Sequence, residues 1–183
     1  MPQAVTHILI PIIVLSLVRD KIVSRNSKAH FPLHYVLIAG LAGGLPDIDI
    51  LISVFLNLGG VSEWWVHKTF THSFFFPACF LLLFGAFSMT HAKARMCNLG
   101  RHKLKLNLIF LMIAAGTTIH LVLDTFAGEA SYLLYPFSSY DFGINLLALS
   151  PLGWSTTAAL LDGILLVIWI AYLEFKHKIS DFI

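Results

Sequence analysis

No lysine or arginine occurs between Lys28 and Lys68, and into that interval falls a long apolar run, Leu33–Leu58, interrupted by Gly43-Gly44-Leu45-Pro46-Asp47-Ile48-Asp49. An ionised carboxylate near the bilayer centre costs about 2.5–3.5 kcal/mol even on lenient scales, so two of them need partners or a cation. Pro46 removes a backbone donor and disfavours helix at Leu45, and the paired glycines allow close backbone approach. If the chain is locally extended here, Asp47 and Asp49 point the same way; in a helix they diverge. The plain alternative is a kinked helix whose aspartates pair with Lys or Arg, and the basic-free interval weakens it.

The rest of the chain is of the same kind. It has 183 residues, 57% of them hydrophobic and only 12% charged, the balance of an integral membrane protein of one domain, 1–183. Apolar stretches run over about Pro2–Val18, Leu33–Leu58, Ser73–Thr90, Leu106–Leu123 and Thr156–Phe175, each near the ~17–25 residues that cross a bilayer. The expected fold is therefore all-α with about five transmembrane helices, the second broken at Pro46-Asp47. Val5–Val18 has no preceding basic region and reads as a retained span, not a signal peptide. Cys79 and Cys97 share no ligand spacing, no internal repeat is visible, and nothing suggests a nucleic-acid partner.

Charge sorts the connections. Arg19, Lys21, Arg25 and Lys28 follow the first stretch, Lys93, Arg95, Arg101, Lys103 and Lys105 the third, and Lys176 and Lys178 the last. Of the 12 basic residues only Lys68 lies on the other side. The positive-inside rule then puts the amino terminus outside and the carboxyl terminus in the cytoplasm.

On that topology the polar residues gather at one depth. His7 sits at the outer start of the first span, and His67 and His72 lie just before the third. A rise of 1.5 Å per residue carries Asp47 about 21 Å from the inner surface and His120 about 22 Å. His30, His34, His91, His102 and His177 all fall on the inner side. His120 and Asp124, spaced i, i+4, share a helix face and suit two ligands of one metal, a ligand with its supporting carboxylate, or an ordinary hydrogen bond between spans. His67 and His72 do not share a helical face, but a turn, with Thr71 or Ser73 capping the third span, would aim both inward. His7 alone is more often an interfacial histidine than a ligand. Trp64, Trp65 and Trp154 read as an aromatic belt. The long outer connection from Thr125 to Ser155, rich in Tyr and Phe, reads as lying at the outer interface, packing over helix ends or covering the site.

These pieces, in order, resemble the YdjM-like family of membrane-bound metal-dependent hydrolases. The matching elements are Thr6-His7, Gly44-Leu45-Pro46-Asp47-Ile48-Asp49, His67-Lys68-Thr69-Phe70-Thr71-His72-Ser73, His120-Leu121-Val122-Leu123-Asp124 and Leu133-Leu134-Tyr135-Pro136-Phe137. The chain departs from the family where the latter commonly has His-Arg: Lys68 follows His67, a point charge in place of a two-pronged phosphate contact. The resemblance implies hydrolysis and leaves the substrate open.

The sequence thus predicts a site near the outer leaflet built from His7, Asp47, Asp49, His67, His72, His120 and Asp124, holding one or two divalent ions. Zn²⁺ suits mixed imidazole and carboxylate best, with Mn²⁺ or Fe²⁺ as alternatives. Asp49, His72 and Lys68 are the expected catalytic residues, Lys68 by neutralising an anion. The expected substrate is a phosphoester in a membrane lipid, inferred from location. The competing class is a cation or proton transporter using the same aspartates and His120, against which the missing inverted repeat and the outer position argue. A purely structural polar cluster is the third reading.

Overall fold

The computed structural model describes residues 4–26, 31–50, 52, 69–90, 96–99, 102–127 and 131–178. His67, Lys68, Glu63, Trp64 and Trp65 lie outside the described residues. The chain is mostly helical: α1 (Ala4–Arg25), α2 (Leu33–Gly43), α3 (Phe75–Met89), α4 (Leu106–Ala127) and α5 (Trp154–His177), with a short 3₁₀ turn at Leu146–Leu149.

Two helices are long and apolar enough to cross a membrane, Leu106–Ala127 and Trp154–Lys176, each with a mean hydropathy of 2.0. Leu33–Gly43 and Phe75–Met89 are shorter apolar helices. The expectation of five spans thus meets two full-length apolar helices among the described residues. The shortfall has local causes: α1 carries Arg19-Asp20-Lys21 in its last turns, and α2 stops at the glycine pair. The expected helical fold carries one small addition. The basic connection before α4 contains an antiparallel hairpin, β1 (Met96–Leu99) on β2 (His102–Lys105), with Cys97 opposite Leu104. Lys103-Leu104-Lys105 alternates, and the pleat turns Leu104 into the core at 1% exposure while both lysines stay exposed.

The helices alternate in direction. At the hairpin end the Tyr35 hydroxyl accepts the Lys105 N–H at 2.7 Å, Asn107 Nδ2 donates to Ser88 Oγ at 3.1 Å, and Tyr172 donates to Asp20 at 2.5 Å. At the opposite end the Thr6 N–H of α1 donates to Asp162 of α5 at 2.8 Å. The apolar core, Tyr35, Ala39, Leu104 and Met112, lies toward the hairpin. The far end buries polar side chains, His7, Asp49, His72, His120 and Asp124, as well as apolar ones such as Leu121 and Leu133.

Two glycines bring α1, α2 and α4 together there. A Cβ on Gly43 would lie 2.1 Å from the His7 carbonyl oxygen, and one on Gly116 would lie 2.1 Å from that of Ala39. Small residues at such crossings let backbones meet, which is how apolar helices associate without a hydrophobic drive between them.

Candidate metal centre

The break after α2 is a run of tight turns, not the extended segment that would have aligned Asp47 with Asp49. Leu45 N–H reaches Ala42 O at 3.1 Å, Ile48 reaches Leu45 at 3.1 Å, Asp49 reaches Pro46 at 3.3 Å and Ile50 reaches Asp47 at 3.1 Å. Every one of these is an i to i+3 bond, and at about three residues per turn positions i and i+2 splay apart. The splay lets the two carboxylates straddle one imidazole. Asp47 Oδ1 lies 3.4 Å from His72 Nε2, and Asp49 Oδ2 lies 3.2 Å from His72 Nδ1.

His72 reaches them from the turns before α3. The expected capping of that helix is not made: its N-cap is Phe74, with no side-chain hydrogen bond. Instead Thr71 Oγ1 donates to Asp49 Oδ2 at 2.7 Å and lies 3.1 Å from His72 Nδ1, while Ser73 Oγ donates to Phe70 O at 2.8 Å. The threonine is better used holding the Asp49–His72 contact than closing a helix end.

α4 supplies His120 and Asp124 from one face, with His120 Nε2 at 3.3 Å from Asp124 Oδ2. α1 supplies His7, whose Nε2 lies 3.4 Å from the other oxygen, Asp124 Oδ1, and whose ring stacks 4.0 Å from that of His120. His7, His72, His120, Asp49 and Asp124 are all buried. Asp47 is the accessible member, its side chain 21% exposed.

The partners of the outer nitrogens assign the tautomers. His120 Nδ1 lies 2.7 Å from the Gly43 carbonyl and so carries the proton; His72 Nδ1 faces the Asp49 carboxylate and does likewise. Both Nε2 atoms are then lone pairs, 3.3 Å apart, turned toward each other and toward two carboxylate oxygens. With both imidazoles neutral, as metal ligation requires, these four atoms all act as acceptors, a set that a cation bridges.

The spacing fits one. His72 Nε2 is 3.4 Å from both Asp47 Oδ1 and Asp124 Oδ2, and His120 Nε2 is 3.3 Å from Asp124 Oδ2 and 3.7 Å from Asp47 Oδ1. Four tetrahedral donors bonded at about 2.0–2.1 Å stand about 3.3–3.4 Å apart. Two donor sets can therefore hold a metal ion: His7, His120 and Asp124, all buried, and Asp47, His72 and His120, of which Asp47 is partly exposed. Asp49 stands behind His72, where an outer carboxylate orients a ligating imidazole. Asp49→Asn is expected to weaken metal binding about 10–100-fold with the fold intact, read by chelator competition. Unchanged affinity would remove Asp49 from that part.

Of the seven expected ligands, the structure brings His7, Asp47, Asp49, His72, His120 and Asp124 together, and His67 is outside the described residues, as is Lys68. Sequence reading gave Thr71 only a capping role and the Gly43-Gly44 pair only close backbone approach, and it passed over Asp162. Asp162 is buried in α5 and accepts both the backbone N–H and the hydroxyl of Thr6, the residue beside His7. A carboxylate set deep in the last apolar stretch was the available signal.

No match is found among curated proteins or among solved structures. The profile of the YdjM inner membrane protein family matches residues 1–179, nearly the whole chain, and the protein belongs to that family.

Proposed function

We propose that the chain is a membrane-bound metal-dependent hydrolase that cleaves a phosphoester in a lipid near the outer leaflet. The observation that carries the reading is the pair of donor groups that share His120, one of His7, His120 and Asp124 and one of Asp47, His72 and His120, each close enough to hold an ion. Zn²⁺ is the best match to that donor set, with Mn²⁺ or Fe²⁺ as alternatives. Bound there, a divalent ion supplies Lewis-acid polarisation of a phosphoryl oxygen and acidification of water.

The protein's own groups set up the rest. Asp49 and the Gly43 carbonyl hold the protons of His72 and His120 on Nδ1, away from the site. Asp47, on the accessible side, faces the substrate. Lys68, four residues before His72, neutralises the anion. Exposed Phe137, Tyr140 and Leu149 on the connection before α5 support a location of that surface at the lipid head groups.

The test is phosphate or head-group release from a panel of lipid phosphoesters in detergent with Zn²⁺ or Mn²⁺, run beside metal-dependent cation flux in liposomes. Metal-dependent hydrolysis, lost in Asp47→Asn, is the expected result. Flux that needs Asp47 with no hydrolysis of any lipid would replace the enzyme by a transporter.

We further propose that the hairpin end faces the cytoplasm, following the basic residues. In a Cys79→Ser background, Cys97 on β1, which is exposed, should react with a membrane-impermeant thiol reagent only after permeabilisation, and Ser138→Cys should react in intact cells. Labelling of both from one side would overturn the orientation.

A further inference from the structure

A cavity of about 340 Å³ opens beside the metal site, lined by Phe74, Leu121, Val122, Phe126, Leu134 and Phe142 among others. Its volume is at the lower end of the ~300–1,000 Å³ typical of ligand sites. The walls belong to elements that also carry the donors. Phe74 follows His72 by two residues, and Leu121 and Thr125 bracket Asp124 on α4. At 3.6 residues per turn Leu121 lies about 60° around the helix from Asp124, Thr125 about 100° and Val122 and Phe126 about 160°, so the groove starts beside the donor face of α4 and runs around to its far side.

The third wall is the segment 131–142, and it is fastened to the site. Phe74 N–H donates to Leu133 O at 2.9 Å, Ile144 N–H donates to Thr125 O at 2.8 Å, and Ser131 and Phe142 exchange backbone bonds of 2.9 and 3.1 Å. A bilayer-facing helix surface alone would present no such wall. The lining is hydrocarbon and aromatic throughout, save Thr125, whose hydroxyl already donates to Leu121 O at 2.7 Å. The groove therefore offers a head group nothing and a hydrocarbon chain a great deal. Phe74, Val122, Phe126, Leu134 and Phe142 are each about half exposed, ready to be covered.

We infer that this groove seats one hydrocarbon chain of a lipid phosphoester whose phosphoryl end lies at the donors around Asp124. The head-group half of the inference rests on the hydrolase reading; the chain half rests on the groove. It makes the substrate a long-chain lipid and excludes a water-soluble phosphoester.

The probe is phosphatidic acid with a diazirine at the end of one acyl chain, photolysed with the full-length protein in detergent with Zn²⁺. Label is expected on the peptides containing Leu121 to Phe126 and Leu133 to Phe142, displaced by excess unlabelled phosphatidic acid. Val122→Trp and, separately, Leu134→Trp fill the groove and should lower that label about tenfold or more, as would withdrawing some two methylenes from it, with bound metal unchanged. Equal labelling by a diacylglycerol with the same diazirine chain, or labelling of both tryptophan variants at the parent level, overturns the inference. Hydrolysis with the chain labelled elsewhere also overturns it and leaves the enzyme standing. Groove labelling without hydrolysis of any phosphoester upholds it and removes the enzyme instead.

Discussion

Asp124→Asn should strip the protein of its metal, lowering affinity by more than the ~100-fold that marks loss of an outer partner. One carboxylate here meets three imidazoles: Oδ1 faces His7, and Oδ2 faces both His72 and His120. The amide is the same size, so the helices should pack as before, but it brings one oxygen, no charge, and an NH₂ group where a ligand stood. Metal analysis of the purified protein reads the loss directly. A second readout is thermal: an ion that binds only the folded state stabilises it by mass action, so chelator should lower the melting temperature of the parent and leave Asp124→Asn unmoved. Full loading of the variant would return the cluster to a structural lock between helices.

Gly43→Ala is expected to do severe damage for a single added methyl. The new Cβ would sit 2.1 Å from the His7 carbonyl oxygen and 2.9 Å from Pro11 Cγ. Backbone meets backbone there, so no rotamer change relieves the contact and α1 must back away from α2. That retreat pulls His7 off Asp124, and it disturbs the carbonyl that holds His120 Nδ1. A cost of about 3 kcal/mol or more, the top of the range for overpacking, is expected in detergent unfolding, with metal lost alongside. Gly85→Ala is the control, since nothing lies within 4 Å of its would-be Cβ. Equal behaviour of the two variants would refute the close-packing account.

The gathering of His7, Asp47, His72, His120 and Asp124 was legible because it needs only two regularities, the rise of a helix and the sidedness of basic residues. Neither regularity says how a chain rotates through a break. Asp49 was therefore readable as a ligand beside Asp47, whereas the turns at 45–50 send it to the far nitrogen of His72. Thr71 was readable as a helix cap for the same reason: capping is a local preference, and a buried carboxylate 22 residues away outcompetes it. Asp162 answers to a contact 156 residues distant, which no periodicity encodes. The hairpin was hidden by charge, because a lysine-rich connection reads as loop before its alternation is noticed. Among the described residues two helices are long and apolar enough to span, and α1, though 22 residues long, has charged last turns that leave a short apolar length.

The donors come from four places in the chain, from His7 at its start to Asp124 two thirds of the way along. During synthesis the first helix must therefore wait, with its histidine uncommitted, until the fourth has emerged and turned back toward it. Any ion captured before then has at most part of its cage, and release is fast; capture that lasts can only follow assembly. An ion retained there would thus mark molecules whose four donor segments have come together.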